Sequence, residues 1–319
     1  MSTASKAMTL LRLMARGDWR AVRSRWLFNT AHWRARRHGG RPFVHRDMGF
    51  PGVCHPDWPD SLDQFSNLAG DHWEMKLLRS WLRPGDAAVD VGTNLGLYAL
   101  AVGDRVGPQG RVLAVDADAF IIEKLRATVR LLGASQIEPV QAAVADQAGS
   151  LTFYVRTDRS ITGEQSLHPG EGAREACTAV TTAALTLENL IRMLDRDASL
   201  ALIKVDIEGA EAMAFRKVPP HLLTGDGPFW LVEIHPGALA RFGAVPADIV
   251  GRFPRAGFEL WLLPKHPLGP DSGAQPLRLL AESERFTDSL YYNLLAVPRG
   301  SRWQERRAAI KEFLPLLNE

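Results

Sequence analysis

Short apolar segments alternate with helical segments through most of this chain, from about residue 85 to residue 298. Buried strands are predicted at "AAVDV", "RVLAVDA", "IEPVQAA", "LALIKVD" and "FWLVEIH", with helices such as "LYALAVGDRV", "AFIIEKLRATVRLLG" and "TLENLIRML" between them. Strands that are apolar on both faces and alternate with helices are typical of a parallel sheet covered by helices. The pattern therefore predicts an open, doubly wound α/β sheet of about seven strands.

Several segments depart from this alternation. The polar stretch 151–185 predicts two strands joined by an exposed loop, and "FELWLL" and "SLYYNLLAV" predict an antiparallel edge pair. Helices are predicted at "EGAEAMAFRKV", "PADIVGRFPRAG" and "DQFSNLAGDHWEMKLLRSWL", and in the basic segment 1–40, which ends at Gly39-Gly40. We expect an arm and linker over residues 1–60, the α/β domain over 61–298, and an amphipathic tail helix over 299–319.

Charge is divided unevenly along the chain. The net charge is only +2, yet the first 50 residues hold 11 Lys and Arg against two acids, so a basic arm precedes a mildly acidic body. Two cysteines are too few for a disulfide framework, and no apolar run reaches the roughly 18–20 residues that span a bilayer. We expect a cytoplasmic protein without a signal peptide.

The basic arm carries an aromatic stripe on its predicted helix. The stripe consists of Trp19, Val22, Trp26 and Trp33, flanked by Arg16, Arg20, Arg23 and Arg34. The favoured interpretation is packing on its own domain or in a homodimer. Contact of residues 8–37 with an anionic membrane at its inner face, or with an acidic glycan, is the second interpretation. Nucleic-acid binding is not expected, because no known module accompanies the charge.

A turn rich in glycine, "DVGTNLG", follows the first predicted strand. Gly92 and Gly96 would let the backbone approach a ligand and turn into a helix N-terminus. The spacing is not G-x-G-x-x-G, and the Asp90 carboxylate would repel a pyrophosphate but suits a ligand with an ammonium group. Asp116 ends the second strand, where an acid binds ribose hydroxyls. These features favour S-adenosylmethionine over NAD, with an ordinary βα turn as the alternative.

A second group of charged residues ends the strand "LALIKVD". Strand alternation places Lys204 and Asp206 on one side, where such charges belong at a strand end that faces a cleft. Glu208 and Glu211 follow, and both also suit the simple role of capping a helix start.

The third group is Glu233 and His235 in "VEIHP", which project to the same side of the next strand. His235 is the candidate general base for a hydroxyl proton, with Asp206 or Glu233 holding its tautomer. Lys204 would orient the acceptor or lower the pKa of its hydroxyl. Alternatively, Asp206, Glu233 and His235 could hold a divalent metal, or His235 could be a structural histidine near a helix start.

In order and spacing, "VDVGTNLGLYAL", "LTLENL", "LIKVDIEGAE", "LVEIHP" and "YYNLLAV" resemble the FkbM-type methyltransferases, over roughly residues 70–298. The resemblance implies a class I, Rossmann-like, S-adenosylmethionine-dependent fold with seven strands and an antiparallel last strand, here preceded by a helical extension. It also implies O-methylation of a hydroxyl on a sugar, a glycan or glycolipid, or a polyketide-type natural product.

The resemblance implies roles for individual residues. Asp116-Ala117 stands where the family usually has Glu-Pro, and Ser166 lies in a segment like the family's serine-rich loop over the active site. The implied cofactor-binding residues are Glu74, Asp90, Gly92, Asn94, Gly96, Asp116 and Asp146. The expected substrate-binding residues are Glu208, Glu211, Glu233 and Ser166. The rival functions are an NAD-dependent oxidoreductase and a nucleotide-type ligand-binding protein that has lost catalysis.

Overall fold

A computed structural model describes residues 11, 14–15, 17, 19–46, 48–58, 61–62, 73–156, 167, 177–195, 199–265, 278–281, 284–287 and 291–314. The chain divides into two compact units, Met1–Trp73 and Glu74–Glu319. No helix among the described residues is both long enough and apolar enough to cross a membrane.

The N-terminal unit contains one long helix and a small hairpin. Helix α1 (Trp19–Arg37) is followed by the antiparallel strands β1 (Phe43–His45) and β2 (Gly52–Cys54). The predicted basic helix is confirmed over α1, and it ends at Gly39 and Gly40, whose φ angles are 60° and 73°. Glycine adopts these left-handed angles without the steric cost that a Cβ would bring. The core of the unit is formed by Ala35, Phe43 and Cys54.

The second unit is built from strands alternating with helices. The strands are β3 (Ala87–Val91), β4 (Arg111–Asp116), β5 (Ile137–Gln141), β6 (Ala143–Val144), β7 (Gly149–Arg156), β8 (Cys177–Leu185), β9 (Leu200–Val205), β10 (Phe229–Ile234), β11 (Phe258–Lys265), β12 (Arg278–Leu279) and β13 (Tyr291–Pro298). The helices after α1 are α2 (Trp73–Trp81), α3 (Leu97–Val106), α4 (Ala119–Leu132), α5 (Leu187–Leu194), α6 (Glu211–Ala214), α7 (Pro236–Ala240), α8 (Pro246–Val250) and α9 (Gln304–Ala309). Short 3₁₀ helices lie at Phe215–Lys217, Pro220–Leu223 and Ser301–Trp303.

Eight of the described strands form one sheet in the order β12-β11-β13-β10-β9-β3-β4-β5. Strands β5, β4, β3, β9 and β10 are parallel, and β13 runs antiparallel to both β10 and β11. The chain builds β4 and β5 on one side of β3, then crosses to build β9 and β10 on the other. The strand order therefore reverses between β3 and β9, and ligands of such sheets bind at the carboxyl ends of these strands.

The buried strands explain why the apolar pattern predicts this sheet well. Every residue of β3 and β9 is buried, as expected for central parallel strands covered by helices on both faces. All of these buried residues are apolar except Asp90 and Lys204, which are charged. On one face, α5 starts at a capping box in which the Thr186 hydroxyl accepts from the Asn189 amide and the Asn189 side chain accepts from the Thr186 amide.

The doubly wound α/β fold and its seven predicted strands are confirmed, with the two-residue β12 added at one edge. The predicted antiparallel edge pair is confirmed, because β11 and β13 pair antiparallel along their whole length, and β13 lies between β10 and β11. This position completes the sheet, since β13 pairs on both sides and its residues from Tyr292 onward are buried.

Three predicted helices are shorter than the apolar pattern indicates. Helix α6 begins only at Glu211, because Glu208 and Gly209 have positive φ angles of 55° and 105°. Helix α8 ends at Val250, four residues before Pro254, whose ring is incompatible with a helix interior. The C-terminal helix α9 has six residues, and Arg306 in it forms an ion pair with Asp86.

A second, three-stranded sheet has the order β6-β8-β7. The prediction of two strands in the polar insertion is confirmed, because β7 and β8 pair antiparallel from Gly149 to Arg156. Of the loop that joins them, only Leu167 lies within the described residues, and the predicted substrate residue Ser166 lies outside them.

Candidate functional site

One cavity of about 170 Å³ opens at the carboxyl ends of β3, β4, β9 and β10. It lies at the reversal of strand order, where the topology predicts a ligand site. The residues that line it are Val91, Gly92, Asn94, Val115, Asp116, Ala117, Ala142, Ala143, Val144, Phe153, Leu167, Asp206, Ile207, Glu208, Ala210 and Glu233. Its lining is largely apolar on the β4–β6 side and acidic on the β9–β10 side.

The turn after β3 is hydrogen-bonded to β4 on one side and packs against the residue that follows β9 on the other. The amides of Gly92 and Thr93 both donate to the Val115 carbonyl, at 2.9 and 3.0 Å. Gly92 has a φ of 76°, and a Cβ at this position would lie 1.7 Å from the Asp206 carbonyl oxygen. Glycine is therefore required at position 92 for two separate reasons, its dihedral angle and the close approach of another strand end.

The rest of the turn is equally constrained. Asn94 has a φ of 45°, a left-handed conformation that asparagine tolerates better than most residues. Gly96, with a φ of 77°, is the N-cap of α3, and a Cβ there would lie 2.6 Å from a methyl group of Leu125. Gly92 and Asn94 line the cavity, whereas Gly96 lies outside the lining and packs beside Leu125.

Asp116 lines the cavity at the end of β4. Its carboxylate accepts hydrogen bonds from the Asn94 amide at 3.1 Å and the Asp118 amide at 3.0 Å. Burial raises the pKa of Asp116 to about 6, against the lowering effect of those two amides. Since a carboxylate offers about four lone-pair sites, Asp116 can still accept hydrogen bonds from a ligand.

Lys204 occupies the centre of a buried charge network. Its Nζ lies 3.4 Å from an Asp90 oxygen and 3.1 Å from an Asp206 oxygen, and donates to the Gly92 carbonyl at 3.4 Å. Burial alone lowers the pKa of Lys204, but the charges of Asp206 and Asp90 outweigh that effect and raise it above its ordinary value. Lys204 thus remains protonated and ties the Gly92 turn to the acid at the end of β9.

The same network gives Asp90 a different place from the expected one. Asp90 is 3% exposed, pairs with Lys204 and accepts from the Thr93 hydroxyl at 2.8 Å. It is not among the residues that line the cavity. The ammonium group that faces Asp90 in this structure is therefore the side chain of Lys204, which also contacts the Gly92 carbonyl.

Sequence analysis missed Tyr98 and Asn293, which hold Glu74. The Tyr98 hydroxyl donates to Glu74 at 2.8 Å, and the Asn293 amide donates to the other Glu74 oxygen. Lys204 Nζ lies 4.9 Å from the centre of the Tyr98 ring, and burial followed by the charge of Glu74 raises the Tyr98 pKa well above its ordinary value. The sequence carries one sign of the role of Asn293, which is its position as a polar residue inside the apolar run "YYNLLAV". The structure adds that Asn293 lies opposite Glu233 in strand register.

Three carboxylates meet on the acidic side of the cavity. Ligand oxygens of Asp206, Glu208 and Glu233 all lie within 4.8 Å of one another, a separation that would allow a shared cation. The predicted metal set included His235 in place of Glu208, and the structure corrects that set. Glu208 reaches this position because its backbone has a φ of 55°, an uncommon conformation for a glutamate.

Three other predicted site residues do not line the cavity. His235 packs edge-to-face against Tyr291, with ring centres 4.2 Å apart. Glu211 is 1% exposed and accepts from the Ile207 and Gly209 amides, so it braces its own turn as a capping acid does. Burial raises the pKa of Glu211 to about 7. Asp146 forms an ion pair with Arg216 at 2.9 Å.

The apolar side of the cavity is formed largely by residues that carried no predicted role. Val115 and Ala117 come from the end of β4, Ala143 from β6, and Phe153 from β7. The three-stranded sheet therefore helps to form the cavity, and the ring of Phe153 offers a flat apolar surface to a planar ligand.

The Methyltransferase FkbM domain matches residues 90–260 of this chain, which is more than half of it. The matched region contains the glycine turn, Asp116 and all three carboxylates of the cavity. Among curated proteins, none matches this chain significantly.

The solved structures that resemble this chain include two described as methylases or methyltransferases and a fibrillarin with bound S-adenosyl-L-methionine. An rRNA methylase from Streptococcus thermophilus has 12% identity and a TM-score of 0.38, covering 70% of this chain and 94% of its own. The O-methyltransferase TomG from Streptomyces achromogenes, in complex with SAM, has 12% identity and a TM-score of 0.36, with 71% and 81% covered. Fibrillarin from Aeropyrum pernix has 13% identity and a TM-score of 0.33, with 70% and 76% covered. These values carry no functional inference.

We predict that Gly92→Ala destabilises the protein far more than Gly133→Ala. Both glycines have positive φ angles, 76° and 62°, but only Gly92 faces another strand end, and nothing lies within 4 Å of a Cβ at Gly133. Gly133→Ala should cost about 1 kcal/mol from its left-handed dihedral angles alone. Gly92→Ala should cost at least about 3 kcal/mol, since the turn must move. Urea denaturation of both variants tests this, and equal losses would contradict it.

Proposed function

This chain belongs to the FkbM methyltransferase family, and from that premise we propose that it transfers the methyl group of S-adenosylmethionine to a hydroxyl oxygen. The proposed acceptor is a sugar, a glycan or glycolipid, or a polyketide-type natural product. One observation carries the proposal: a single cavity joins an apolar side containing Asp116 to an acidic side containing Asp206, Glu208 and Glu233. The first side suits a nucleoside and the second suits a hydroxyl that must lose a proton.

The residues on the β4 side fit the cofactor. The Asp116 carboxylate would accept from ribose hydroxyls, and Phe153 with Ala117 and Ala143 would contact the adenine ring. S-adenosylmethionine supplies a methyl group on a sulfonium, and displacement by an oxygen leaves S-adenosylhomocysteine. Asp90 and Lys204 act as positioning residues, because their ion pair holds the Gly92 turn in place. Glu74, held by Tyr98 and Asn293, lies outside the cavity lining.

The carboxylates on the β9–β10 side would receive the acceptor. Asp206 lines the cavity and is held by Lys204 at 3.1 Å, so its carboxylate oxygens suit orientation of a hydroxyl by accepting its hydrogen bond. We assign removal of the hydroxyl proton to Glu208 or Glu233, which line the same side of the cavity. His235, first considered as the base, packs on Tyr291 and is given no direct role in the reaction.

Family membership also decides between the rival enzyme classes. An NAD-dependent oxidoreductase is disfavoured, because the matched domain is that of a methyltransferase. A ligand-binding protein without catalysis differs from the proposed enzyme in one measurable respect. It would bind S-adenosylmethionine without forming S-adenosylhomocysteine when an acceptor is present.

We predict that the affinity for S-adenosylmethionine falls as the pH falls through about 6. Without a ligand, the carboxyl of Asp116 has a pKa of about 6. Ribose hydroxyls donate to its ionised form, so full affinity is present above that pH. Below it, protonation of Asp116 weakens binding. Asp116→Asn should bind about tenfold more weakly at pH 8 and lose this pH dependence. Calorimetric titrations from pH 8 to pH 5 measure both effects.

Asp104→Asn provides a matched control for that titration, because Asp104 is an acid paired with Arg79 outside the cavity lining. Its binding curve should follow that of the wild type at every pH. A wild-type affinity that does not change across this range would contradict the ribose role of Asp116.

We predict that Glu208→Gln and Glu233→Gln lower kcat while cofactor binding changes little. Loss of a positioned base typically costs about 100-fold, so at least one glutamate variant should lose that much. His235→Ala and the surface variant Glu188→Gln should stay within about threefold of the wild type. The readout is S-adenosylhomocysteine formed with hydroxylated sugars and glycolipids, compared with amine analogues. Turnover of the amines alone would overturn O-methylation.

Metal-assisted O-methylation is the second candidate function, and the 4.8 Å grouping of Asp206, Glu208 and Glu233 favours it. A divalent cation bound there would supply a Lewis acid that lowers the pKa of the acceptor hydroxyl. The three side chains offer the carboxylate oxygens that Mg²⁺ and Mn²⁺ prefer.

We predict for this second candidate that a strong chelator abolishes turnover, and that Mg²⁺ or Mn²⁺ restores it. Glu233→Gln should then raise the metal concentration needed for half-maximal rate, because it removes a negative ligand. Unchanged turnover in the chelator would leave only the metal-free mechanism.

A further inference from the structure

Helix α1 of the N-terminal unit exposes a stripe of three tryptophans. Trp19, Trp26 and Trp33 are 63%, 59% and 52% exposed. They are seven residues apart, and seven residues make almost two turns, so the three indoles share one face of the helix. Large aromatic side chains grouped on one exposed face mark an interaction surface.

The opposite face of α1 packs on the core of its own unit. Ala35 is 8% exposed and clusters with Phe43 and Cys54. Ala35 is two residues after Trp33, which corresponds to a rotation of about 200° around the helix. The contacts of Ala35 therefore direct the tryptophan face away from the hairpin, and the described residues of this unit leave that face exposed.

The charge of α1 narrows the class of partner. Its 19 residues include six arginines and no acidic residue. The Arg37 guanidinium lies 5.2 Å from the centre of the Trp33 ring, which keeps a positive charge beside the exposed indole. Tryptophan favours the headgroup level of a bilayer, and nearby arginines can reach lipid phosphates from there. This combination is complementary to an anionic, partly apolar surface.

A second copy of the chain fits this face poorly. Two paired helices need apolar residues at alternating three- and four-residue intervals. Between and after the tryptophans of α1, those positions are Val22, Asn29 and Arg36, so the seam would be interrupted by polar groups. Two such helices would also bring arginines together without acids to neutralise them.

We propose that α1 binds the surface of an anionic lipid bilayer, with the tryptophan stripe at the headgroup boundary and the arginines on lipid phosphates. The helix would lie along the surface with its tryptophan face toward the lipid, as amphipathic helices do. The proposal concerns attachment of the protein and does not depend on the methyl transfer proposed above.

The test is flotation of the full-length protein with vesicles of two compositions. One is phosphatidylcholine alone, and the other contains equal parts of phosphatidylcholine and phosphatidylglycerol. We expect binding to the anionic vesicles to exceed binding to the neutral ones by at least about tenfold, and to weaken as salt rises. Equal binding to both vesicles, or none to either at low salt, would overturn the proposal.

Two triple variants separate the stripe from general hydrophobicity. Trp19→Ala, Trp26→Ala and Trp33→Ala together should lower binding to anionic vesicles by about tenfold or more. The control combines Leu131→Ala, Met193→Ala and Val245→Ala, which remove three exposed apolar side chains elsewhere (53%, 36% and 55% exposed) and should leave binding unchanged. Because all six side chains are exposed, circular dichroism should be the same for both variants.

Two further outcomes would also overturn the proposal. Sedimentation could show a dimer that only the tryptophan variant loses, which would make the stripe a contact between copies. Alternatively, the wild type could bind a single-stranded RNA more tightly than anionic vesicles, with the tryptophan variant losing that binding, which would make it a nucleic-acid surface.

Discussion

The ion pairs of Lys204 are the interaction on which the arrangement of the site depends. Lys204 and Asp90 are register partners on β9 and β3, the two strands between which the sheet order reverses. A lysine buried this deeply stays charged only if carboxylates accompany it, and Asp90 and Asp206 supply them. The same ammonium group contacts the Gly92 carbonyl, so charge pairing, the glycine turn and the end of β9 are fixed together.

This constraint divides the acids of the region into two groups. Asp90 and Glu211 are almost fully buried, Asp90 beside Lys204 and the Thr93 hydroxyl and Glu211 against backbone amides, so they shape the turns. Asp116 and the carboxylate group of Asp206, Glu208 and Glu233 face the cavity instead. A buried carboxylate must be neutralised by internal partners, whereas one at a cavity wall can keep capacity for a ligand. The residues proposed to bind the cofactor and the acceptor belong to the second group.

The N-terminal unit differs from the catalytic unit in the exposure of its tryptophans. Its hairpin core is small, and its long helix leaves three tryptophans exposed beside arginines. The catalytic unit buries its aromatic residues, among them Trp81, Trp230 and Trp303. The exposed stripe is consistent with a surface that gains its stabilisation from a partner, since large apolar groups are normally covered within a folded domain.

The sequence by itself determined the strands, the glycine turn and the family, because apolar periodicity and the need for a positive φ are local properties. It also placed Asp116, Asp206, Glu208 and Glu233 at strand ends, all of which line the cavity. Only the tertiary structure showed that Asp90, Glu211 and His235 do not line the cavity. It also showed that Tyr98 and Asn293 hold Glu74. Such choices depend on strand register and backbone angles, such as the φ of 55° at Glu208, and on partners distant in sequence.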